Sequence, residues 1–260
     1  WFKWMPEVLP HLKVFRVTGG EPTMSKDVWR TLDYIIENPQ PQLQLAINTN
    51  LGTHTRLIDK LIDYINKLED KVERIDVYTS VESVGQDANY VRDGLDYDYW
   101  YMNVKHVLSR TNSLVAIMTT LNMLSLPTFN NFIDDIMDLR VLFNKGLENN
   151  RIPISLNYLR WPPHLQATLL DKETRQKYVD EILPHGEQWL KYYSPDKYAR
   201  LYLEEWDQLK RWCDYLVTEP TQTKFRKDFV NYIKAYDMRR DKNFKTTFPE
   251  FANLLEDWNV

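Results

Sequence analysis

The chain has 260 residues, 43% hydrophobic and 27% charged, a composition ordinary for one large globular domain or a domain with an extension. A net charge of −4 gives no overall basic footprint, which argues against nucleic acid or a membrane surface as a whole-chain partner, and no apolar run is long enough to span a bilayer. The single cysteine, Cys213, excludes a disulfide framework and any zinc or iron–sulfur site built from the usual number of this chain's own thiolates.

The opening stretch "WFKWMPEVLPHLK" reads as part of a helix, and a start at Trp1 rather than Met leads us to expect a cut N-terminus. Five short segments rich in Val, Ile, Leu and Thr follow at 13–18, 43–48, 74–81, 113–121 and 152–159, the pattern of buried parallel strands. Helical patterns alternate with them. Ser25 is placed to cap a helix carrying Val28, Leu32, Ile35 and Ile36 on one face, with Asp27 in its first turn. Thr53 or Thr55 opens the next, with Leu57, Leu61, Ile65 and Leu68 as its stripe. Trp100, Val104, Val107 and Leu108 mark a third, and Phe132, Ile133, Ile136 and Met137 a fourth. A strand every 30 to 40 residues with a helix between is a run of βα units, hence an α/β fold with a parallel sheet. Periodicity leaves an open sheet and part of a barrel equally available. Either way, functional loops belong at the carboxyl ends of the strands.

After "RWPPHL" (160–165) the alternation stops, and Pro162–Pro163 marks a boundary between a region 1–165 and a helical C-terminal region 166–260. Helices are expected at 171–183, 196–217 and 222–238, with a short one after Pro249. The Trp and Tyr density beyond residue 185 reads as helix–helix packing. The basic cluster "MRRDKNFK" (238–245) and the pair Glu204–Glu205 read as solvated surface.

The residues with chemistry gather at the predicted strand ends. The first strand ends in Gly19-Gly20-Glu21-Pro22, the second in Asn48-Thr49-Asn50, the third in Ser80-Val81-Glu82-Ser83 with Arg92 beyond, and the fourth in Thr119-Thr120-Leu121-Asn122. Each cluster taken singly is ordinary turn chemistry. The glycine pair stands apart, because the chain has only 7 glycines. Two adjacent glycines let backbone amides approach a ligand, and Pro22 restricts the backbone so that Glu21 is aimed one way, as a carboxylate gripping an ammonium group would be. No P-loop, GxGxxG, HExxH or GxSxG pattern occurs, and the five histidines show no ligand spacing.

"VFRVTGGEP" resembles the second strand and GGEP motif of radical S-adenosylmethionine (SAM) enzymes. "AINTN", "VYTSVES…YVRDG" and "TTLNMLSLPTFNNF" resemble that family's third, fourth and fifth strands, in the family's order. "LRWPPHLQATLL" and "RRDKNFKTTFPEF" are similar to its twitch-domain-containing subgroup. The resemblance implies a partial (βα)6 TIM-like barrel with strands 2–6 visible. It further implies that Glu21 binds the SAM amino group near Gly19, Gly20 and Pro22, that Ser80 and Glu82 contact the ribose, and that Arg92 pairs with the SAM carboxylate. Asn48, Thr120 and Asn122 are weaker carry-overs. The implied chemistry is reductive SAM cleavage by a 4Fe–4S cluster, giving a 5′-deoxyadenosyl radical that abstracts a hydrogen. That chemistry implies an electron donor, the single cysteine fits a reducing compartment such as the cytoplasm, and the subgroup resemblance with the aromatic helical tail implies a peptide substrate.

The family's C-x3-C-x2-C cluster motif does not occur in this chain. Truncation is the simplest account, and as given the chain is expected neither to assemble the usual cluster nor to cleave SAM. The rival reading is a degenerate barrel that binds a nucleotide-like ligand or a partner protein without catalysis. Cys213, inside a predicted helix, reads as a small buried hydrophobe.

Overall fold

The computed structural model describes residues 1–147, 149–191 and 199–259. Five strands form one parallel sheet in chain order: β1 (Val14–Val17), β2 (Gln40–Asn48), β3 (Val72–Ser80), β4 (Leu114–Leu121) and β5 (Ile154–Tyr158). The described helices are α1 (Met5–Val8), α2 (Lys26–Glu37), α3 (Thr55–Leu68), α4 (Gly85–Val91), α5 (Tyr97–Arg110), α6 (Phe129–Phe143), α7 (Lys172–Lys191), α8 (Leu203–Thr218), α9 (Arg226–Arg240), α10 (Phe244–Thr247) and α11 (Leu254–Asp257). None is long and apolar enough to cross a membrane. Contacts group the chain into two compact units: Trp1–Ser80 with Asp98–Ile117 and Glu148–Pro153, and Val81–Tyr97 with Met118–Leu147 and Ile154–Val260.

In the first unit the strands carry their large apolar side chains on one face. Leu43, Leu45 and Ile47 of β2 are at most 1% exposed, whereas Gln44, Ala46 and Asn48 alternate with them on the other face. Register carries this across the sheet: Arg16 aligns with Ala46 and Ala46 with Asp76, and Asn48 aligns with Tyr78. One sheet face is therefore apolar and the other polar. Of the expected α3 stripe Leu61, Ile65 and Leu68 are buried and Leu57 is half-buried, while Ile58 and Ile62 complete the buried face. The helix opens at one of the two expected threonines, with a histidine as the capping group. Helix α3 starts at Thr55, and the His54 ring nitrogen Nδ1, not a threonine, accepts from the Arg56 amide at 3.3 Å. Ser25 does occupy the N-cap of α2, but its side chain makes no capping bond.

The second unit holds the helical C-terminal part. Helix α7 runs through Pro184 to Lys191 instead of stopping at residue 183. Close packing against α8 explains this: a Cβ on Gly186 would lie 2.7 Å from Leu209 Cδ2 and 3.0 Å from Trp206, so the helices meet where proline weakens the hydrogen-bond ladder. The first residues of the helix expected over 196–217, 196–198, lie outside the described residues. The aromatics of this part pack on one another, with Trp212 on Phe129 at 5.0 Å and Phe229 on Phe244 and Trp258 at 5.6 and 5.5 Å.

Two readings of solvated charge are corrected here. Glu204 is exposed, but Glu205 is buried and accepts two hydrogen bonds from the fully buried Arg140 guanidinium at 2.6 and 2.9 Å. The same carboxylate accepts the amides of Ile154 and Tyr202, both at 3.0 Å. With Gln208 Oε1 accepting the Leu156 amide at 2.6 Å, α8 satisfies two outward N–H groups of β5 and seals that sheet edge. Lys242 of the basic cluster is also not solvated. It donates to the carbonyls of Asn89 and Tyr90 at the end of α4, where a cation complements the helix dipole.

Removing one partner of a buried, fully hydrogen-bonded ion pair leaves the other charge without compensation. Glu205→Ala is therefore expected to lower unfolding free energy by about 3–5 kcal/mol in urea titrations, while the double change Arg140→Met with Glu205→Leu costs less than Glu205→Ala alone.

Candidate functional site

The loop after β1 places Gly19 and Gly20 at φ +93° and +51°, in the left-handed region where L side chains are disfavoured. A Cβ built on either meets nothing within 4 Å, so the backbone here borders open space. Glycine is required by conformation, not by crowding. Pro22 is buried and starts a 3-10 turn, Pro22–Met24, whose N-cap is Glu21.

The half-buried Glu21 side chain ties this loop to the end of β2. Its Oε1 accepts from the Thr23 amide (3.1 Å), the Thr23 hydroxyl (2.7 Å) and the Thr49 hydroxyl (2.8 Å). Among the described residues its Oε2 accepts only the Asn50 amide, at 2.8 Å. A carboxylate oxygen offers about two lone-pair positions, so Oε2 keeps capacity for a further donor. Both ends of the arrangement are anchored. Thr23 accepts through its carbonyl from the buried Trp29 indole at 3.0 Å. Thr49 accepts through its hydroxyl from the Leu51 amide at 3.2 Å.

Leu51 is fully buried at φ +50°, a conformation costing a non-glycine residue roughly 1–2 kcal/mol. The buried Asn103 of α5 holds its carbonyl at 2.7 Å, and the leucine side chain fixes the rest. Non-glycine strain next to a polar rim marks a backbone that the surrounding structure over-determines, as functional loops often are. Asn48 adds a second signal. Its Oδ1 is buried and has no hydrogen-bond partner among the described residues, an acceptor without a donor on this same rim. Ser80 ends β3 on the face that carries Asp76 and Tyr78.

The remaining expected residues belong to the second unit and form a cluster of their own. Glu82, 3% exposed, accepts from Arg92 Nε at 2.8 Å and from Arg92 Nη2, a two-pronged pair, and from the Thr120 amide at 3.2 Å. Arg92 is thus tied to Glu82 and retains partial exposure. Thr120 enters through its backbone. Asn122 is a cap: its Oδ1 accepts the Leu124 amide at 2.9 Å, and its Nδ2 donates to the Thr120 carbonyl at 3.2 Å. Beside this cluster lies Asp87, on α4, where burial pushes the carboxyl up to about 6 against the opposing effect of Thr128.

Sequence reasoning put Glu21, its glycines, Asn48, Thr49 and Asn50 on the rim but missed Thr23, Trp29, Leu51 and Asn103. The threonine two residues after the glutamate was a readable signal, since that spacing permits a side-chain cap on a short turn. Nothing in the spacing of Asn103 announces its carbonyl partner.

Among the described residues no group of three or more His, Cys, Asp or Glu side chains could hold a metal ion. Cys213 is buried in α8, and burial pushes its thiol up to about 12, far from the thiolate a metal requires. Comparison with known protein families, curated proteins and solved structures finds no match to this chain.

Two outcomes are expected. Gly20→Ala should cost about 1–2 kcal/mol in urea unfolding, because only the backbone conformation opposes it. Asp87 has a folded-state pKa above its ordinary 3.8, so its contribution is complete below 3.8 and is lost as pH rises through about 6. Asp87→Asn should therefore be more stable than the parent near pH 7.5, by on the order of 2 kcal/mol, and the gap should close at about pH 3.5.

Proposed function

We propose that this chain is the SAM-binding part of a radical SAM enzyme, an arc of a (βα)6 barrel followed by a helical region. The observation that carries the reading is the Glu21 carboxylate, locked by Thr23, Thr49 and Asn50 beside two left-handed glycines with open space above them. The strand order β1 to β5 without a reversal supports a barrel arc, since doubly wound sheets reverse at their switch point.

The residues present fit SAM. Glu21 Oε2 has room for an ammonium donor, and the Gly19–Gly20 backbone admits close approach. When bound, SAM supplies a sulfonium whose carbon–sulfur bond breaks reductively in this family. The chain's own part is to orient that sulfonium by its amino-acid end and to keep the carboxylate from turning away. The residues do not fit the iron–sulfur cluster, because the one thiol is buried and pushed up to about 12. No step through a cluster is assigned to these residues. We place the protein in the cytoplasm, with an electron donor and a peptide substrate as the partners the reading implies.

A second reading is favoured by that same misfit: a barrel that binds SAM or a nucleotide-like ligand without turning it over. Both readings share the Glu21 grip, and calorimetric titration with SAM tests it. The parent should bind, and Glu21→Gln should weaken binding at least tenfold, the loss of one charge-assisted hydrogen bond of about 1.5–3 kcal/mol. Equal affinity of the parent and Glu21→Gln, with both folded by circular dichroism, would overturn the assignment.

A further inference from the structure

The polar face of the sheet in the first unit carries Arg16, a cation that the SAM reading leaves unused. Arg16 lies on β1 in the row of Ala46 and Asp76. Its side chain reaches diagonally across β2, where the residue in its row offers only the Ala46 methyl group, and its guanidinium stacks over the Tyr78 ring at 4.6 Å. Tyr78 aligns with Asn48, the residue with the orphaned Oδ1. Arg16 therefore sits one row beneath the rim. Two residues of extended strand, about 7 Å, separate it from Thr18, which precedes the glycine pair.

The nearby Asp76 carboxylate acts on the Arg16 charge electrostatically, but at neither hydrogen-bond nor ion-pair distance. Among the described residues no hydrogen bond or ion pair engages the Arg16 guanidinium, and its exposure is high. The carboxylate on its row, Asp76, is buried and ion-paired with Arg74 at 3.1 Å. Two guanidiniums face one carboxylate, leaving one positive charge in excess. Stacking on Tyr78 fixes the guanidinium plane and leaves its N–H edge free, so a planar or tetrahedral oxyanion can be met by two donors without first ordering a flexible side chain.

We propose that Arg16 anchors the anionic group, a carboxylate or a phosphate, of a substrate that lies on the polar sheet face beneath the Glu21 rim. The position of that substrate beside SAM rests on the function proposed above. The anion site itself stands on Arg16, Ala46, Tyr78 and Arg74 alone. A cofactor held at the rim by its amino group and a substrate held one row lower by its anion would share the same open face without competing for a side chain.

Thermal unfolding of the intact protein at constant ionic strength tests the site, with inorganic phosphate and succinate as probes of the two anion types. One or both should raise the melting temperature saturably, and the probe that half-saturates at the lower concentration identifies the anion type. In Arg16→Gln the half-saturating concentration should rise at least tenfold. Arg16→Lys, which keeps the charge but not the fork, should fall between. No saturable shift in the parent, or the same shift in Arg16→Gln, overturns the proposal. SAM calorimetry on the same variants separates the two readings. Loss of SAM binding in Arg16→Gln would mean that Arg16 holds the cofactor's carboxylate, which also overturns it. A parent that binds no SAM but keeps the Arg16-dependent anion shift removes the SAM reading and leaves the anion site standing.

Discussion

A half-buried carboxylate must find donors, and the Glu21 side chain finds them on two separate strand ends. The Thr23 amide and hydroxyl come from its own loop, and the Thr49 hydroxyl and Asn50 amide come from the end of β2. Those four bonds couple the glycine turn, the left-handed Leu51 and the Trp29 indole into one rigid rim. Rigidity of this kind has a direct chemical use. A carboxylate that is already oriented loses little freedom when an ammonium group arrives, so more of the interaction appears as affinity.

The second unit has its own carboxylate organiser in Glu205, and the contrast between the two is informative. Glu205 accepts two bonds from Arg140 and two from backbone amides, so its acceptor positions are filled and it is sealed from solvent. Glu21 has the same number of partners but crowds three of them on one oxygen, and its surroundings are open. One arrangement is closed and structural. The other leaves acceptor capacity on a half-buried carboxylate beside an exposed glycine loop, which is what a binding group needs. Glu82 resembles the closed type, because Arg92 and the Thr120 amide occupy it.

The strands and the longer helices were legible because burial on a sheet face or a helix stripe repeats with a fixed period. The GGEP loop was legible because paired glycines in a glycine-poor chain need a conformational reason, and both do adopt positive φ. What periodicity could not carry were the long-range polar partners. Asn103 meets Leu51 from 52 residues away, and Arg140 meets Glu205 across 65. Arg140 did leave a trace: it extends the buried stripe of Ile133, Ile136 and Met137 by one more helical step, and a charge on such a stripe calls for a buried partner. The continuation of α7 through Pro184 left none, since it depends on a contact between two helices and not on local preference.

The sealing of β5 by Glu205 and Gln208 gives the sheet a direction of growth. With the Ile154 and Leu156 amides already satisfied by α8, a further strand arriving at that side would find these donors taken and a helix in its way. Any strand that lengthens this sheet, whether from the same polypeptide or another, has to join alongside β1.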